Sequence, residues 1–218
     1  MGGPAPKGRM VIRAACARED LVTDPAVFRV LAALLLIAFV SHRAYYTRKL
    51  APAERETIDK LQNGPASAVA SILIGAALIS TLAFVFLPAL LAWANSPFPD
   101  WLRWLGLAVT LAGFGLLEWA HRALGKNWSD QPRMTESQHM VTSGPYRWIH
   151  HPIYTAFLLI LGSLLLISAN WLVGLAWVIS VSVDGAIRIR YEERVMADRF
   201  GDRYREYMRR TGRILPRL

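Results

Sequence analysis

The chain has 218 residues, 54% of them hydrophobic, with a formal net charge of +9 and a mean hydropathy of +0.28. Its single Cys16 excludes an internal disulfide and any cysteine-rich metal site. The positive charge does not indicate nucleic-acid binding, because no nucleic-acid-binding motif is present and 10 of the 25 Lys and Arg residues lie in residues 188–218, directly after an apolar region. That placement is typical of the cytoplasmic side of a membrane protein.

The N-terminal part of the chain predicts a short lead-in followed by membrane helices. The lead-in, residues 1–25, lacks the apolar stretch of a signal peptide. The first predicted span covers about residues 26–46 and ends in basic and aromatic residues that suit headgroup depth. A polar linker, residues 47–65, separates it from a second span at residues 66–94. We expect a kink at Pro88, because membrane helices tolerate proline.

A third span is predicted at residues 101–121, and an uncharged run of 31 residues follows at 153–183. As one helix this run would be about 46 Å long, against an apolar layer of about 30 Å. The Ser168-Ala169-Asn170 sequence therefore predicts the turn of a helical hairpin. The second helix of the hairpin should continue past Asp184 into the charged residues 188–210.

Together these elements predict an all-α integral membrane bundle of about five transmembrane helices. With the C-terminus inside, the predicted cytoplasmic segments carry 19 Lys and Arg residues and the two outer turns carry none. Loop charge of this kind sets the orientation of membrane proteins. We therefore expect a multi-pass protein whose residues 124–152 and 188–218 lie together on the cytoplasmic side.

Two polar segments, residues 124–154 and 188–207, flank the hairpin, and a hairpin brings its own ends together. Between them they hold three of the five histidines and the adjacent Glu192 and Glu193. Ionisable residues clustered at membrane depth indicate a functional site. The sequence therefore predicts a polar cup at the membrane surface, able to hold a charged and partly aromatic cofactor.

Each element of this cup also has a structural interpretation. His150-His151 would be headgroup-level polarity, and the Tyr and Trp residues would form an interfacial belt. Asp184, Arg188 and Glu192 are spaced for intrahelical salt bridges. No metal site is predicted, because no metal-binding motif with the required spacing is present.

The polar segments share an ordered set of residues with a known family. In chain order these residues are His139, Gly144-Pro145-Tyr146, His151-Pro152, Tyr154, Glu192-Glu193, Phe200-Gly201, Tyr204 and Tyr207. The pattern extends over about residues 124–216. It resembles the isoprenylcysteine carboxyl methyltransferase family, which is allied to the phospholipid N-methyltransferases.

The resemblance implies a pocket at the cytoplasmic face that takes S-adenosylmethionine from water and a lipophilic acceptor from the bilayer. Residues 26–123 would supply transmembrane helices 1–3, and residues 124–218 the catalytic region. Glu193 would orient or deprotonate the acceptor, and Arg190 would help to orient it. The expected cofactor contacts are His139, Gly144, Tyr146, His150, His151, Pro152, Tyr154 and Glu192. The expected partners are membrane lipids and a lipophilic substrate, with neither nucleic acid nor metal.

The sequence departs from the family pattern at two positions. His150 stands where the family usually has arginine, so a permanent charge is replaced by one that titrates. If His150 holds an anionic group, binding should weaken as the pH rises from 6 to 8. Ala156 stands where the family often has glycine.

Two other functions are open from the sequence. One is an NADPH-dependent membrane reductase of the sterol-reductase type, although such proteins are usually longer. The other is a non-catalytic membrane protein on the same scaffold. For a methyltransferase, the acceptor group (carboxylate, amine or thiol) and the oligomeric state are also open.

Overall fold

The computed structural model describes residues 24–48, 65–125 and 140–217, and the regular structure of these residues is helical. They contain seven α-helices: α1 (Pro25–Arg48), α2 (Pro65–Phe86), α3 (Asp100–Leu124), α4 (Pro152–Gly162), α5 (Leu164–Ser168), α6 (Trp171–Phe200) and α7 (Asp202–Arg210). Short 3₁₀ helices lie at Pro88–Ala94 and Gly144–Arg147. The predicted all-α fold is confirmed.

Four of these helices, α1, α2, α3 and α6, are long and apolar enough to cross a membrane. The apolar arm Pro152–Ser168, which comprises α4 and α5, is shorter, at about 26 Å for a rise of 1.5 Å per residue. The predicted fifth crossing rests on this arm. Large apolar side chains such as Ile72, Phe86 and Leu111 are exposed on the outside of the bundle, where lipid surrounds them. The chain is therefore an integral membrane protein.

The second predicted span is wrong in its form. The sequence predicts one kinked helix over residues 66–94, but α2 ends at Phe86 and a 3₁₀ helix begins at Pro88. Leu87 has φ −129° and ψ 53°, because the residue before a proline is disfavoured in the α region. Pro88 therefore ends the helix instead of kinking it.

The predicted hairpin turn is confirmed, and Asn170 holds it. The Asn170 side chain is fully buried, and its Oδ1 accepts a hydrogen bond from the Val173 backbone N–H at 3.2 Å, which caps α6. Its Nδ2 donates to the Leu91 carbonyl and to Asn95 Oδ1, both at 2.9 Å. A second break, at Ser163 between α4 and α5, is not predicted by the sequence.

Small residues of α3 allow the α4–α5 arm to pack closely against it. A Cβ atom built on Gly113 would lie 2.7 Å from Ile160 Cγ1, and one on Gly106 would lie 2.8 Å from Leu166 Cβ. Between these glycines the Thr110 hydroxyl lies 2.6 Å from the Ser163 hydroxyl. Close approach through small residues and interhelical hydrogen bonds is typical of membrane helices.

The long helix α6 packs against α2 and then continues beyond the apolar layer. Trp177 Nε1 donates to Thr81 Oγ1 at 2.8 Å, and the Ser180 hydroxyl donates to the Leu73 carbonyl at 2.9 Å. The 30 residues of α6 span about 45 Å, more than the apolar layer of about 30 Å. The charged end of α6 therefore extends beyond the apolar layer. It lies beside the start of α4, as the hairpin prediction requires.

Candidate functional site

The start of α4 and the charged part of α6 meet through Tyr154 and Glu192. The Tyr154 hydroxyl donates to Glu192 Oε1 at 2.5 Å. Gly185, two turns before Glu192, lies against the tyrosine ring, since a Cβ there would be in contact with Tyr154 Cδ1 at 3.4 Å. The predicted meeting of the two polar segments is therefore present for the residues that the structure describes.

His151 lies between the two adjacent glutamates. Its Nδ1 is 3.5 Å from Glu192 Oε2 and its Nε2 is 3.3 Å from Glu193 Oε1. The contact of Nε2 is an ion-pair distance without hydrogen-bond geometry, so this buried nitrogen has no hydrogen-bond partner among the described residues. Burial opposes the charge on His151, but the contacts with the two carboxylates outweigh it and raise the pKa of His151.

His150 lies against Thr211 and Glu193. Its Nδ1 is 3.0 Å from Thr211 Oγ1, and its Nε2 is 3.4 Å from Glu193 Oε1. Burial, assisted by the neighbouring His151, lowers the pKa of His150 to about 4. His150 is therefore neutral from pH 6 to 8, and the titration expected in that range from the sequence moves below it.

Three further predicted cofactor residues lie in the 3₁₀ turn before His150 and at the start of α4. Gly144 has φ +61°, and a Cβ there would lie 2.9 Å from Ala123 Cβ, so both the backbone and the packing require glycine. Tyr146 is buried, and its carbonyl accepts a hydrogen bond from the Tyr207 hydroxyl at 2.6 Å. Pro152 is the first residue of α4. Cofactor contact by these residues stays a prediction.

Two predicted residues are not part of the described cluster. His139 lies outside the described residues. Arg190 is exposed on α6, and none of the described contacts joins it to Glu193. By contrast the Glu193 side chain is only 13% exposed. The structure therefore groups His150, His151, Tyr154, Glu192 and Glu193, and leaves Arg190 apart.

The structural alternative for the charged residues of α6 is observed for the pair Asp184 and Arg188. Arg188 Nε lies 2.9 Å from Asp184 Oδ1, which is the predicted intrahelical salt bridge. The Glu192 carboxylate, one turn further along α6, contacts Tyr154 and His151.

Sequence reasoning missed the part played by the C-terminal residues. Thr211 contacts His150, and Arg213 Nε donates to Glu193 Oε1 at 2.7 Å while a second guanidinium nitrogen donates to Glu193 Oε2. The short helix α7 docks through Tyr207, whose hydroxyl donates to the Tyr146 carbonyl. Arg213 gave no separate signal, because it is one of many arginines in this part of the chain.

A second polar cluster, also missed, joins α1 to α3. Glu118 accepts hydrogen bonds from the Tyr46 hydroxyl at 2.9 Å and from Arg122 Nε at 2.7 Å, and His42 Nε2 lies 3.4 Å away. The Tyr46 ring stacks on His121, with 3.9 Å between centroids. The sequence suggested headgroup anchoring for His42 and Tyr46, but both are tied to a neighbouring helix.

Aromatic contacts connect α1 with the candidate site. Phe39 meets Phe157 edge-on at 5.3 Å between ring centroids, and the Arg43 guanidinium lies 5.4 Å from the centre of the Phe157 ring. Phe157 in turn lies 6.2 Å from Tyr154. The apolar side of the site is therefore lined by residues of α1 and α4.

Three side chains of the cluster have a spacing that would admit a divalent cation. One ligand atom from each of His150, His151 and Glu193 lies within 4.8 Å of the others. Two histidines and one glutamate are a known zinc ligand set. A cation here would compete with Arg213 for the Glu193 carboxylate. The expectation that no metal is bound stays a prediction.

Comparisons with known proteins match part of this chain to one family. Residues 104–198, from α3 to near the end of α6, match the model of the isoprenylcysteine carboxyl methyltransferase (ICMT) family. Protein-S-isoprenylcysteine O-methyltransferase B of Arabidopsis thaliana is 28% identical over 118 residues, which are 53% of this chain and 60% of that protein. The uncharacterised protein YpbQ of Bacillus subtilis is 26% identical over 96 residues, 44% of this chain and 57% of that protein.

The fold is similar to a solved structure of a eukaryotic intramembrane Ras methyltransferase, ICMT. The TM-score is 0.52 at 26% sequence identity, with 71% of this chain and 53% of that chain covered. The chain therefore spans a little over half the length of the relatives it matches. These matches confirm the resemblance to the isoprenylcysteine carboxyl methyltransferase family.

Proposed function

We propose that the chain is a membrane methyltransferase that uses S-adenosylmethionine. The premise is that residues 104–198 are of the isoprenylcysteine carboxyl methyltransferase type. The acceptor is lipophilic and reaches the site from the bilayer. The observation that carries the proposal is the cluster at the membrane-surface end of the hairpin, in which Tyr154 and His151 hold Glu192 and Glu193.

The residues of the cluster suit such a donor in their chemistry. S-adenosylmethionine supplies a methyl group on a positively charged sulfonium, and its transfer to a nucleophile needs no metal. Carboxylates and aromatic rings favour a positive charge, and the cluster offers Glu192, Glu193 and Tyr154. The Nε2 atom of His151 is buried and lies 3.3 Å from Glu193 Oε1, so His151 adds a polar ring beside both carboxylates.

The protein's own contribution is to orient and to exclude water. Tyr154 fixes one oxygen of Glu192, and Arg213 fixes both oxygens of Glu193, so neither carboxylate is free to rotate. Alignment of the reacting groups supplies much of the rate enhancement in a displacement of this kind. Glu193 orients the acceptor, and the buried wall of Tyr146 and Pro152 keeps water away. Although burial opposes it, contacts with His151 and Arg213 lower the pKa of Glu193 to about 2, which makes the expected proton transfer to Glu193 unfavourable.

The acceptor is the open part of this proposal. The named activity of the Arabidopsis relative makes a prenylated cysteine carboxylate the first candidate to test. Amines and thiols of lipids follow. The rings of Phe39 and Phe157 lie next to Tyr154 and would contact an apolar chain that enters the site.

Donor binding and product formation together test the proposal. Detergent-purified protein is incubated with tritiated S-adenosylmethionine, and in parallel with tritiated NADPH. Membranes containing the protein are then given labelled methyl donor and a farnesylated cysteine analogue, and the labelled products are identified by mass spectrometry.

We expect saturable binding of S-adenosylmethionine and a methylated lipophilic product. Binding of NADPH without S-adenosylmethionine would instead support the reductase. Binding of neither would support a non-catalytic protein on the same scaffold.

A further inference from the structure

The C-terminal residues 211–215, which we call the C-terminal strap, are paired with the chain that carries the two histidines. The Gly212 N–H donates to the Trp148 carbonyl, and the His150 N–H donates to the Gly212 carbonyl, both at 2.9 Å. The His151 N–H donates to the Arg213 carbonyl at 3.0 Å. These backbone bonds fix the strap at the edge of the candidate site.

From this strap, Arg213 reaches the Glu193 carboxylate with two guanidinium nitrogens. Its Nε is 2.7 Å from Oε1, and a terminal nitrogen bonds Oε2. The contact is anchored on the inside, because the Glu193 side chain is 13% exposed, against 56% for Arg213. Bidentate pairing of this kind fixes the plane of a carboxylate as well as its position.

His150 contacts the same Glu193 oxygen, Oε1, but a histidine does not carry the permanent positive charge of Arg213. The Thr211 hydroxyl donates its hydrogen to the Tyr207 carbonyl at 2.8 Å. Its oxygen can therefore accept a hydrogen from His150 Nδ1, which lies 3.0 Å away. His150 Nε2 lies 3.4 Å from Glu193 Oε1, a longer contact than the 2.7 Å of Arg213 Nε. The permanent positive charge beside Glu193 therefore comes from Arg213 in the strap.

We infer that Arg213 is a positioning residue of the donor site, which orients Glu193 and balances its charge. The inference rests on the proposed function in taking Glu193 as part of that site. It makes the C-terminal strap, which lies beyond the matched residues 104–198, a component of the active centre.

The geometry also defines where else the cation can be placed. His150 Nε2 and Arg213 Nε face the same oxygen of Glu193, at 3.4 Å and 2.7 Å. A guanidinium introduced at position 150 therefore lies within reach of Glu193. The loss of Arg213 should be compensated by His150→Arg, although the two residues are 63 positions apart.

The experiment measures the affinity of the purified full chain for S-adenosylmethionine in five proteins: the parent, Arg213→Leu, Arg213→Lys, Arg217→Leu and the double variant His150→Arg/Arg213→Leu. Arg217→Leu is the matched control, because Arg217 is an exposed arginine just after the strap that donates to the Arg209 carbonyl and contacts no carboxylate of the site. Should Arg213→Leu not fold in detergent, Arg213→Gln takes its place.

We expect Arg213→Leu to weaken donor binding about tenfold, since part of the pair is exposed to solvent. Arg213→Lys should lose less affinity for the donor, and Arg217→Leu should lose none. The double variant should recover most of the affinity that Arg213→Leu loses. Unchanged binding in Arg213→Leu would overturn the inference, as would a double variant no tighter than Arg213→Leu.

A parent that binds no S-adenosylmethionine would refute the proposed function and leave the positioning of Glu193 to a second measurement. Thermal unfolding of the same proteins without ligand then decides. A lower Tm in Arg213→Leu than in Arg217→Leu, restored in the double variant, supports the role of Arg213, and equal Tm values refute it.

Discussion

The Tyr154 hydroxyl is the one group of α4 that the structure ties directly to Glu192, across 2.5 Å. Tyr154→Phe removes the hydrogen bond and keeps the ring. Because a hydrogen bond to a charged group contributes about 1.5–3 kcal/mol, we expect affinity for S-adenosylmethionine to fall about 10- to 150-fold. Equilibrium binding to the purified protein measures the change.

The matched control for this variant is Tyr191→Phe, which removes the same hydroxyl from an exposed tyrosine adjacent to Glu192 in the chain. It should bind the donor like the parent. Equal affinities for Tyr154→Phe and the parent would remove Tyr154 from the site.

His151 predicts a loss of stability on the alkaline side. Its folded pKa is raised, so the stability it contributes is fully present below the unfolded value of about 6.5 and is lost as the pH rises through the folded pKa. Urea unfolding of the parent and His151→Gln from pH 5.5 to 9 measures this. We expect the difference between the two proteins to shrink as the pH rises, and a constant difference would show that His151 is not charged.

His150 predicts the opposite sign in a different window. Its folded pKa is about 4, so between pH 6.5 and 4 the unfolded chain takes up a proton that the folded protein does not. Stability should therefore fall as the pH falls through this window, and His150→Gln should fall less. Donor affinity should not depend on His150 titration between pH 6 and 8.

At the scale of elements, α3 and the α4–α5 arm make a testable contact at Gly113. A Cβ on Gly113 meets Ile160 at 2.7 Å, whereas a Cβ on Gly115 meets nothing within 4 Å. We expect Gly113→Ala to lower the free energy of unfolding by about 1–3 kcal/mol through overpacking. Gly115→Ala, in the same helix, should be neutral or slightly stabilising, because alanine favours helix more than glycine does.

Thermal unfolding in detergent compares the two glycine variants. If both variants change Tm equally, the close approach of α3 and the arm is not the reason that position 113 requires glycine. The same contact also matters for the site, because Ile160 lies in the helix that begins at Pro152 and carries Tyr154.

At the scale of the molecule, α6 separates the hairpin turn at its first residue, Trp171, from Glu192 of the site by about 32 Å. Loop charge predicts that the end carrying the site is cytoplasmic. Single cysteines at exposed Pro97 and Arg209, with Cys16 removed, should react oppositely with an impermeant maleimide in right-side-out vesicles. Pro97→Cys should be labelled from outside, and labelling of Arg209→Cys would reverse the orientation.

Much of the fold follows from the sequence because membrane helices are defined by local composition. Predominantly apolar stretches, flanked by charged or aromatic residues, gave α1, α3 and the start of the long α6 within a few residues. The end of α2 at Phe86 was wrong because the effect of Pro88 depends on whether neighbouring helices satisfy the freed backbone groups, and composition does not carry this.

The sequence by itself determined the all-α membrane fold, the hairpin and the neighbourhood of His150, His151, Tyr154 and the two glutamates, because a hairpin brings the residues at its two ends together. Only the tertiary structure decided what those residues do to one another. Burial lowered the pKa of His150 to about 4, and the two glutamates raised the pKa of His151 against the effect of its burial. The return of the C-terminal strap brought Arg213 to Glu193 from 20 residues away. Such contacts depend on packing between distant segments, which no local pattern encodes.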